Sequence, residues 1–149
     1  MMSPNPTIVV VLEGSISSIN QVHEGLAELW RRHPRISGAD RMAFETALIE
    51  LATNVIRHSL RAESADTELR LAVGVTELSA EIIDNGPEFR GYLDHFALPG
   101  LSAESGRGMA VIDSLMDVFE YTRVPAQNSW TPAQNHWRII RRLTVPVGT

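Results

Sequence analysis

Cysteine is missing from all 149 residues. That excludes disulfides and thiolate chemistry and fits a cytoplasmic location. Also missing is any apolar run near the roughly 20 residues that a membrane-spanning helix needs. The opening Met1-Met2-Ser3-Pro4-Asn5-Pro6 has neither a basic stretch nor a long apolar one, so no signal peptide is expected. The five histidines show no H-x-x-x-H or H-E-x-x-H spacing, which argues against a histidine-based metal site. A basic excess is lacking too: the formal net charge is −5, a poor match to nucleic acid as main partner. Internal repeats and low-complexity segments are absent. What is present is the composition of a globular chain, 44% hydrophobic and 21% charged. Its length suits one full core and is too short for two ordinary domains, so residues 1–149 are expected to form a single domain.

The chain divides into alternating and helical patterns. Thr7 to Glu13 is β-branched and apolar and predicts a strand. After Gly14-Ser15, a helix capped by Ser17 or Ser18 is expected to run to about His33, with Ile19, Val22, Leu26 and Leu29 as its buried stripe. A second helix, opening at Ser37 or Asp40 and ending near Ser59–Arg61, carries Leu48, Leu51, Ala52, Val55 and Ile56 at helical spacing. Ala62 to Asp66 is turn-like. Leu69, Leu71, Val73 and Val75 alternate with more polar neighbours, and Ser79 to Asp84 follows as a second strand, so the pair predicts an antiparallel hairpin. Glu88 to Ser105 is irregular, with one helical turn expected around Tyr92 to Phe96. A loop of that length in a small domain is usually functional or disordered. A helix opening at Gly106, a strand over Glu120 to Val124, a polar loop over Pro125 to Gln134 and a last strand over His136 to Val145 complete the order. Arg138, Arg141 and Arg142 read most simply as a solvated sheet face. Hairpins rather than βαβ units imply an α+β two-layer sandwich: a mixed, mostly antiparallel sheet with helices on one face.

Three groups of residues are able to do chemistry. Glu50, Asn54 and His58 recur every four residues, so they rise along one side of the second helix. Asn54 offers an amide oxygen to a hard cation such as Mg²⁺. Glu50, one turn earlier, is placed to act as a base beside such an ion. His58 is a candidate to orient a neighbour or close the helix end. By itself this stripe is most simply a solvated polar face. Asp84-Asn85-Gly86-Pro87 puts a carboxylate at a strand end, where it either makes a turn or accepts a hydrogen bond from an amino group such as that of adenine. Gly106-Arg107-Gly108 puts two glycines at a loop-to-helix junction. Such a junction is either a plain turn or a phosphate seat made from free N–H groups and the positive end of a helix dipole. It is not a Walker loop, since no Lys-Ser or Lys-Thr follows.

Together the three groups resemble a known set. Glu50-x-x-x-Asn54-x-x-x-His58 resembles the N box of the Bergerat-fold ATP-binding superfamily, which includes gyrase, histidine kinases, heat-shock chaperones and mismatch-repair ATPases. Asp84-Asn85-Gly86-Pro87 resembles its G1 box, and Gly106-Arg107-Gly108-Met109 its G2 box. Within the superfamily the chain is most similar to stand-alone anti-sigma-factor serine kinases of bacterial partner-switching systems. That branch is favoured by the short length, by the wording from Glu50 to His58 and by the Gly106–Asp117 run.

This resemblance implies ATP held between the second helix and a mobile lid over about residues 86–105. It implies Asn54 as ligand to Mg²⁺, Asp84 at the adenine amine with Gly86 leaving room for the base, and Glu50 as the base toward a serine hydroxyl. His58, Gly106, Arg107, Gly108 and Met109 would complete the nucleotide site. The implied partners are a STAS-type antagonist carrying the acceptor serine, a sigma factor, and a second copy of the chain meeting it through the first strand and the stripe of the first helix. Two departures stand out. The family's Gly-Pro-Gly-Phe is here Gly86-Pro87-Glu88-Phe89. Ala103-Glu104-Ser105 stands where some relatives carry a basic residue, which leaves Arg107 as the nearby cation. The alternative they suggest is a partner-binding switch of the same fold with weak or no kinase activity.

Overall fold

Runs of β-branched, aliphatic and aromatic residues with period-two burial form five strands: β1 (Ile8–Leu12), β2 (Thr67–Val73), β3 (Glu77–Asp84), β4 (Val118–Val124) and β5 (Gln134–Arg142). Three helices join them: α1 (Ser18–Arg32), α2 (Gly38–Ser59) and α3 (Ala103–Leu115). The structure, a computed structural model, describes residues 8–13, 17–59, 67–89 and 103–147. The expected turn at Ala62–Asp66, the helical turn at Tyr92–Phe96 and most of the proposed lid fall outside these residues.

The strands lie in the order β1-β2-β3-β5-β4, and every described pairing is antiparallel. The fold is therefore α+β, as the hairpin pattern predicts. Register sorts the strands into rows. Ile8, Leu71, Ala80, Ile139 and Phe119 form one row on the inner face, and Val10, Leu69, Ile82, Trp137 and Tyr121 the next. These meet the helices in a single core with Val22, Leu26, Leu29, Phe44, Leu48, Leu51, Val55 and Ile56. Outside, Val9, Arg70, Glu81, Arg138 and Glu120 cross the sheet in one row. Cation and anion alternate along that row, which suits a face turned to water.

The helix boundaries have local causes. Ser37 caps α2, its Oγ accepting from the Asp40 amide at 3.1 Å. Ser17 makes no such cap; the Ser18 hydroxyl is drawn instead to the Glu13 amide at 3.1 Å. Two expectations need correction. Val22, Leu26 and Leu29 of α1 are wholly buried in the chain's own core, so of that stripe the half-buried Ile19 alone has surface to offer a second copy. And α3 starts at Ala103 rather than at Gly106. Ala103 and Glu104 are good helix formers, so the helix extends one turn toward its N-terminus.

Arg141 is the third correction. Period two places it with Trp137 and Ile139 on the inner face, not with the solvated arginines. Its Nε donates to Asp40 Oδ1 at 3.0 Å and its Nη1 to the Leu115 carbonyl at 2.8 Å. Asp40 also accepts from the Thr144 amide at 2.9 Å and the Thr144 hydroxyl at 3.1 Å. Asp40 thus ties the start of α2 to the end of β5 and the segment beyond it. Burial by itself would raise the Asp40 carboxyl. Hydrogen bonds from the Thr144 amide, Arg141, Ser37 and the Thr144 hydroxyl outweigh it and hold the group below the usual carboxylate range.

Asp40→Ala is therefore expected to destabilise the fold by roughly 2–4 kcal/mol at neutral pH, because it leaves Arg141 unpaired. Since the folded carboxyl is depressed, this stabilisation is full above the unfolded value of about 3.9 and fades as pH falls through the lower folded value. Denaturant titrations of both proteins at pH 7 and in steps down to pH 2 check it: the difference between them should shrink only at the acid end.

Candidate functional site

The inner face carries a third row, and it is polar. Leu12, Thr67, Asp84, Asn135 and Arg123 stand side by side across the sheet at the β3 C-terminal end. Thr67, Asp84 and Asn135 are buried. Asp84 Oδ1 accepts from the Gly86 amide at 2.8 Å and from Asn135 Nδ2 at 2.9 Å. Asp84 Oδ2 and Thr67 Oγ1 are buried and have no hydrogen-bond partner among the described residues. An unmatched buried polar atom costs roughly 1–3 kcal/mol, and the carboxylate oxygen, which can only accept, is suited to a donor.

The segment after Asp84 is tied down from three sides. The Gly86 carbonyl accepts from Arg123 Nη1 at 2.8 Å. The Pro87 carbonyl accepts from Asn135 Nδ2 at 2.9 Å and from His58 Nε2 at 2.7 Å. A carbonyl can only accept, so His58 carries its proton on Nε2. The Phe89 amide donates to the Tyr121 hydroxyl at 3.0 Å. Burial raises the Tyr121 phenol above its ordinary value, which keeps the hydroxyl protonated and able to donate onward to Asn135 Oδ1. The Phe89 ring lies edge-on to His58, with centroids 5.2 Å apart, and to Trp137 at 5.1 Å. His58 therefore ties the α2 end to this strand end. Glu88, by contrast, is exposed.

Glu50 and Asn54 lie half-buried on α2, where α3 crosses it. The crossing is close because Gly108 has no side chain. A Cβ there would stand 2.7 Å from Glu50 Oε2 and 3.2 Å from Asn54 Nδ2. Asn54 Nδ2 is itself buried without a partner among the described residues. So the first and third sequence groups meet through one glycine. Gly106 and Gly108 stand inside α3 rather than at its opening, and the amides free of intrahelical partners belong to the turn before them. Arg107 is exposed. Met109 is 2% exposed and packs in the core, so its side chain acts by fixing α3.

Among the described residues, no group of three or more His, Asp or Glu is placed to hold a metal ion. Asn54 offers one oxygen ligand, a donor set that suits Mg²⁺ only if phosphate oxygens supply the rest. Two cavities open among the described residues, and the larger shares Thr67 and Asp84 with the polar row. One of about 420 Å³ wraps the strand ends toward the outer face and is lined by Val11, Arg70, Ile83, Asp84, Pro132 and His136. The other, of about 260 Å³, lies at the α1–α2 turn beside Arg32, His33 and Val147. Neither includes Glu50 or Asn54.

Thr67, Tyr121, Arg123 and Asn135 were not singled out by the sequence patterns. A last strand read from His136 starts one residue too late to include Asn135. The available signal was parity: Asn135 shares its face with Trp137 and Ile139, and an amide on a buried face needs partners.

Comparison with protein families matches residues 13–131 to the family described as Histidine kinase-like ATPase domain. A search of curated proteins gives no match. The matched span contains α2, the Asp84 strand end and α3. No helix among the described residues is long and apolar enough to cross a membrane.

Gly108→Ala tests the crossing. Glu50 Oε2 is the end of a flexible side chain and can give way, so the protein should still fold. The overpacking cost of about 1–3 kcal/mol should fall on the site and weaken nucleotide binding about tenfold, measured by titration beside a thermal melt.

Proposed function

This chain belongs to the histidine kinase-like ATPase domain family, and on that premise we propose that it is an anti-sigma factor and protein serine kinase. The family supports ATP binding and kinase-like activity. The observation that carries the reading is Asp84: one oxygen is fixed by Gly86 and Asn135, and the other is buried without a hydrogen-bond partner among the described residues. That arrangement suits the exocyclic amine of adenine. Asn54 would hold Mg²⁺ together with the nucleotide phosphates, and the ion would neutralise charge at the transferring phosphoryl group.

The chemistry assigned to the chain is that of phosphoryl transfer. Glu50 accepts the proton of a serine hydroxyl. That oxygen bonds to the γ-phosphorus, the bond to the β–γ bridging oxygen breaks, and ADP leaves with the electron pair. Products are phosphoserine, ADP and a protonated Glu50, which returns its proton to water. The acceptor serine belongs to a STAS-type antagonist, and the unphosphorylated antagonist competes with a sigma factor for this protein. The Gly108 crossing supports Glu50 in this role, because it sets the carboxylate beside Asn54.

A second reading rests on Glu88, which stands where relatives have glycine: a partner-binding switch with little or no transfer. The test is incubation with labelled ATP, Mg²⁺ and a STAS antagonist. Wild type should label a serine, and Glu50→Gln should lose transfer by at least about a hundredfold while keeping ATP affinity within a few-fold. Antagonist binding without any labelling in the wild type would favour the switch.

Homodimerisation through β1 is also proposed. Val9 and Val11 are 53% and 65% exposed on the outer side of an edge strand. Sedimentation at micromolar concentration should show a dimer that Val11→Glu dissociates; a wild-type monomer would contradict it.

A further inference from the structure

We infer that Asn135, which lies outside all three sequence motifs, positions Asp84 and thereby sets the preference for a 6-amino purine. The inference rests on the proposed ATP site and concerns how that site tells one base from another.

Asn135 lies directly opposite Asp84 in the sheet and is fully buried. Its amide is used at both ends. Nδ2 donates to Asp84 Oδ1 at 2.9 Å and to the Pro87 carbonyl at 2.9 Å. Oδ1 accepts from Arg123 Nη1 at 2.9 Å and from the Tyr121 hydroxyl. The amide has one orientation available. Arginine can only donate, so the oxygen must face Arg123, and the NH₂ must then face Asp84. Arg123 is held in turn by its second bond, to the Gly86 carbonyl.

The consequence falls on Asp84. Two donors, Asn135 Nδ2 and the Gly86 amide, converge on Oδ1 and stop the carboxylate from turning. Oδ2 is left buried as an acceptor without a partner among the described residues. An acceptor of that kind rewards an amino group and penalises a carbonyl or a bare C–H at the same place, because its desolvation is then uncompensated. Without Asn135, the carboxylate gains rotational freedom and loses half of its fixing. Asn135 is thus a positioning residue: it acts on the base through Asp84.

The experiment compares ATP with purine riboside triphosphate, the same nucleotide without the exocyclic amine. Affinities are measured by titration with Mg²⁺ for wild type, Asn135→Leu, Asn135→Asp and Arg123→Met, each checked for folding by circular dichroism. Wild type should prefer ATP by about tenfold to a hundredfold. Asn135→Leu and Asn135→Asp should bring that ratio close to one, while affinity for the amine-free nucleotide changes no more than about threefold. Arg123→Met, which frees the amide to flip, should give an intermediate ratio and serves if the Asn135 variants do not fold. The inference is overturned if the variants keep the wild-type ratio, or if they lose both nucleotides equally, as a merely structural role would require. A wild type that binds both nucleotides alike overturns the reading of Asp84 itself, and this inference with it.

Discussion

The contact on which the site depends is the pairing of Asp84 with Asn135 across two antiparallel strands. An aspartate buried at a strand end is costly unless donors converge on it. Here the donors come from the turn that follows it and from a residue fifty-one positions away. The same amide holds the Pro87 carbonyl, and through Tyr121 and Arg123 it draws the whole β4–β5 hairpin into the job. The hairpin supplies none of the motif residues. It fixes the geometry of a carboxylate that another strand presents.

The helix layer adds the other half. Glu50 and Asn54 are brought beside α3 because Gly108 lets two helices approach with no side chain between them. Met109 and Ile112, buried in the core, hold α3 at that distance. His58 then joins the C-terminal end of α2 to the Pro87 carbonyl, so the helix face and the strand end are one connected structure. Distant segments of sequence thus meet in a site through three contacts of different kinds: a cross-strand amide, a glycine crossing and a histidine tie. None of the three supplies much stability by itself. Their value is in fixing positions, which is what phosphoryl transfer asks of a protein.

Much of this was legible in the sequence because periodicity is strong where burial is one-sided. The α2 stripe of Leu48, Leu51, Ala52, Val55 and Ile56 is buried along its length, and β2 and β3 pair as the alternation implies. The motif residues could be named because their spacing follows the helix turn and the strand end. What escaped was whatever depended on register. Arg141 looks like one of three surface arginines until β5 is numbered from Gln134, and then it falls opposite its neighbours and bonds to Asp40. Asn135 falls between the loop read to Gln134 and the strand read from His136. The start of α3 was misplaced because glycines draw attention as helix openers, while Ala103 and Glu104 carry a quieter helical preference. In the first two cases, tertiary contacts rather than local propensity decided.

The proposal that the polar strand-end row and the Gly108 crossing form one nucleotide site can be tested residue by residue. In an ¹⁵N NMR titration with ATP and Mg²⁺, the largest shifts should fall on the Gly86 and Gly108 amides and on the side-chain amides of Asn54 and Asn135. The two cavities away from Glu50 and Asn54 provide the contrast. Shifts concentrated instead at Val11, Arg70 and His136 on the outer face, or at Arg32 and His33 beside the α1–α2 turn, would place the nucleotide elsewhere and contradict the proposal.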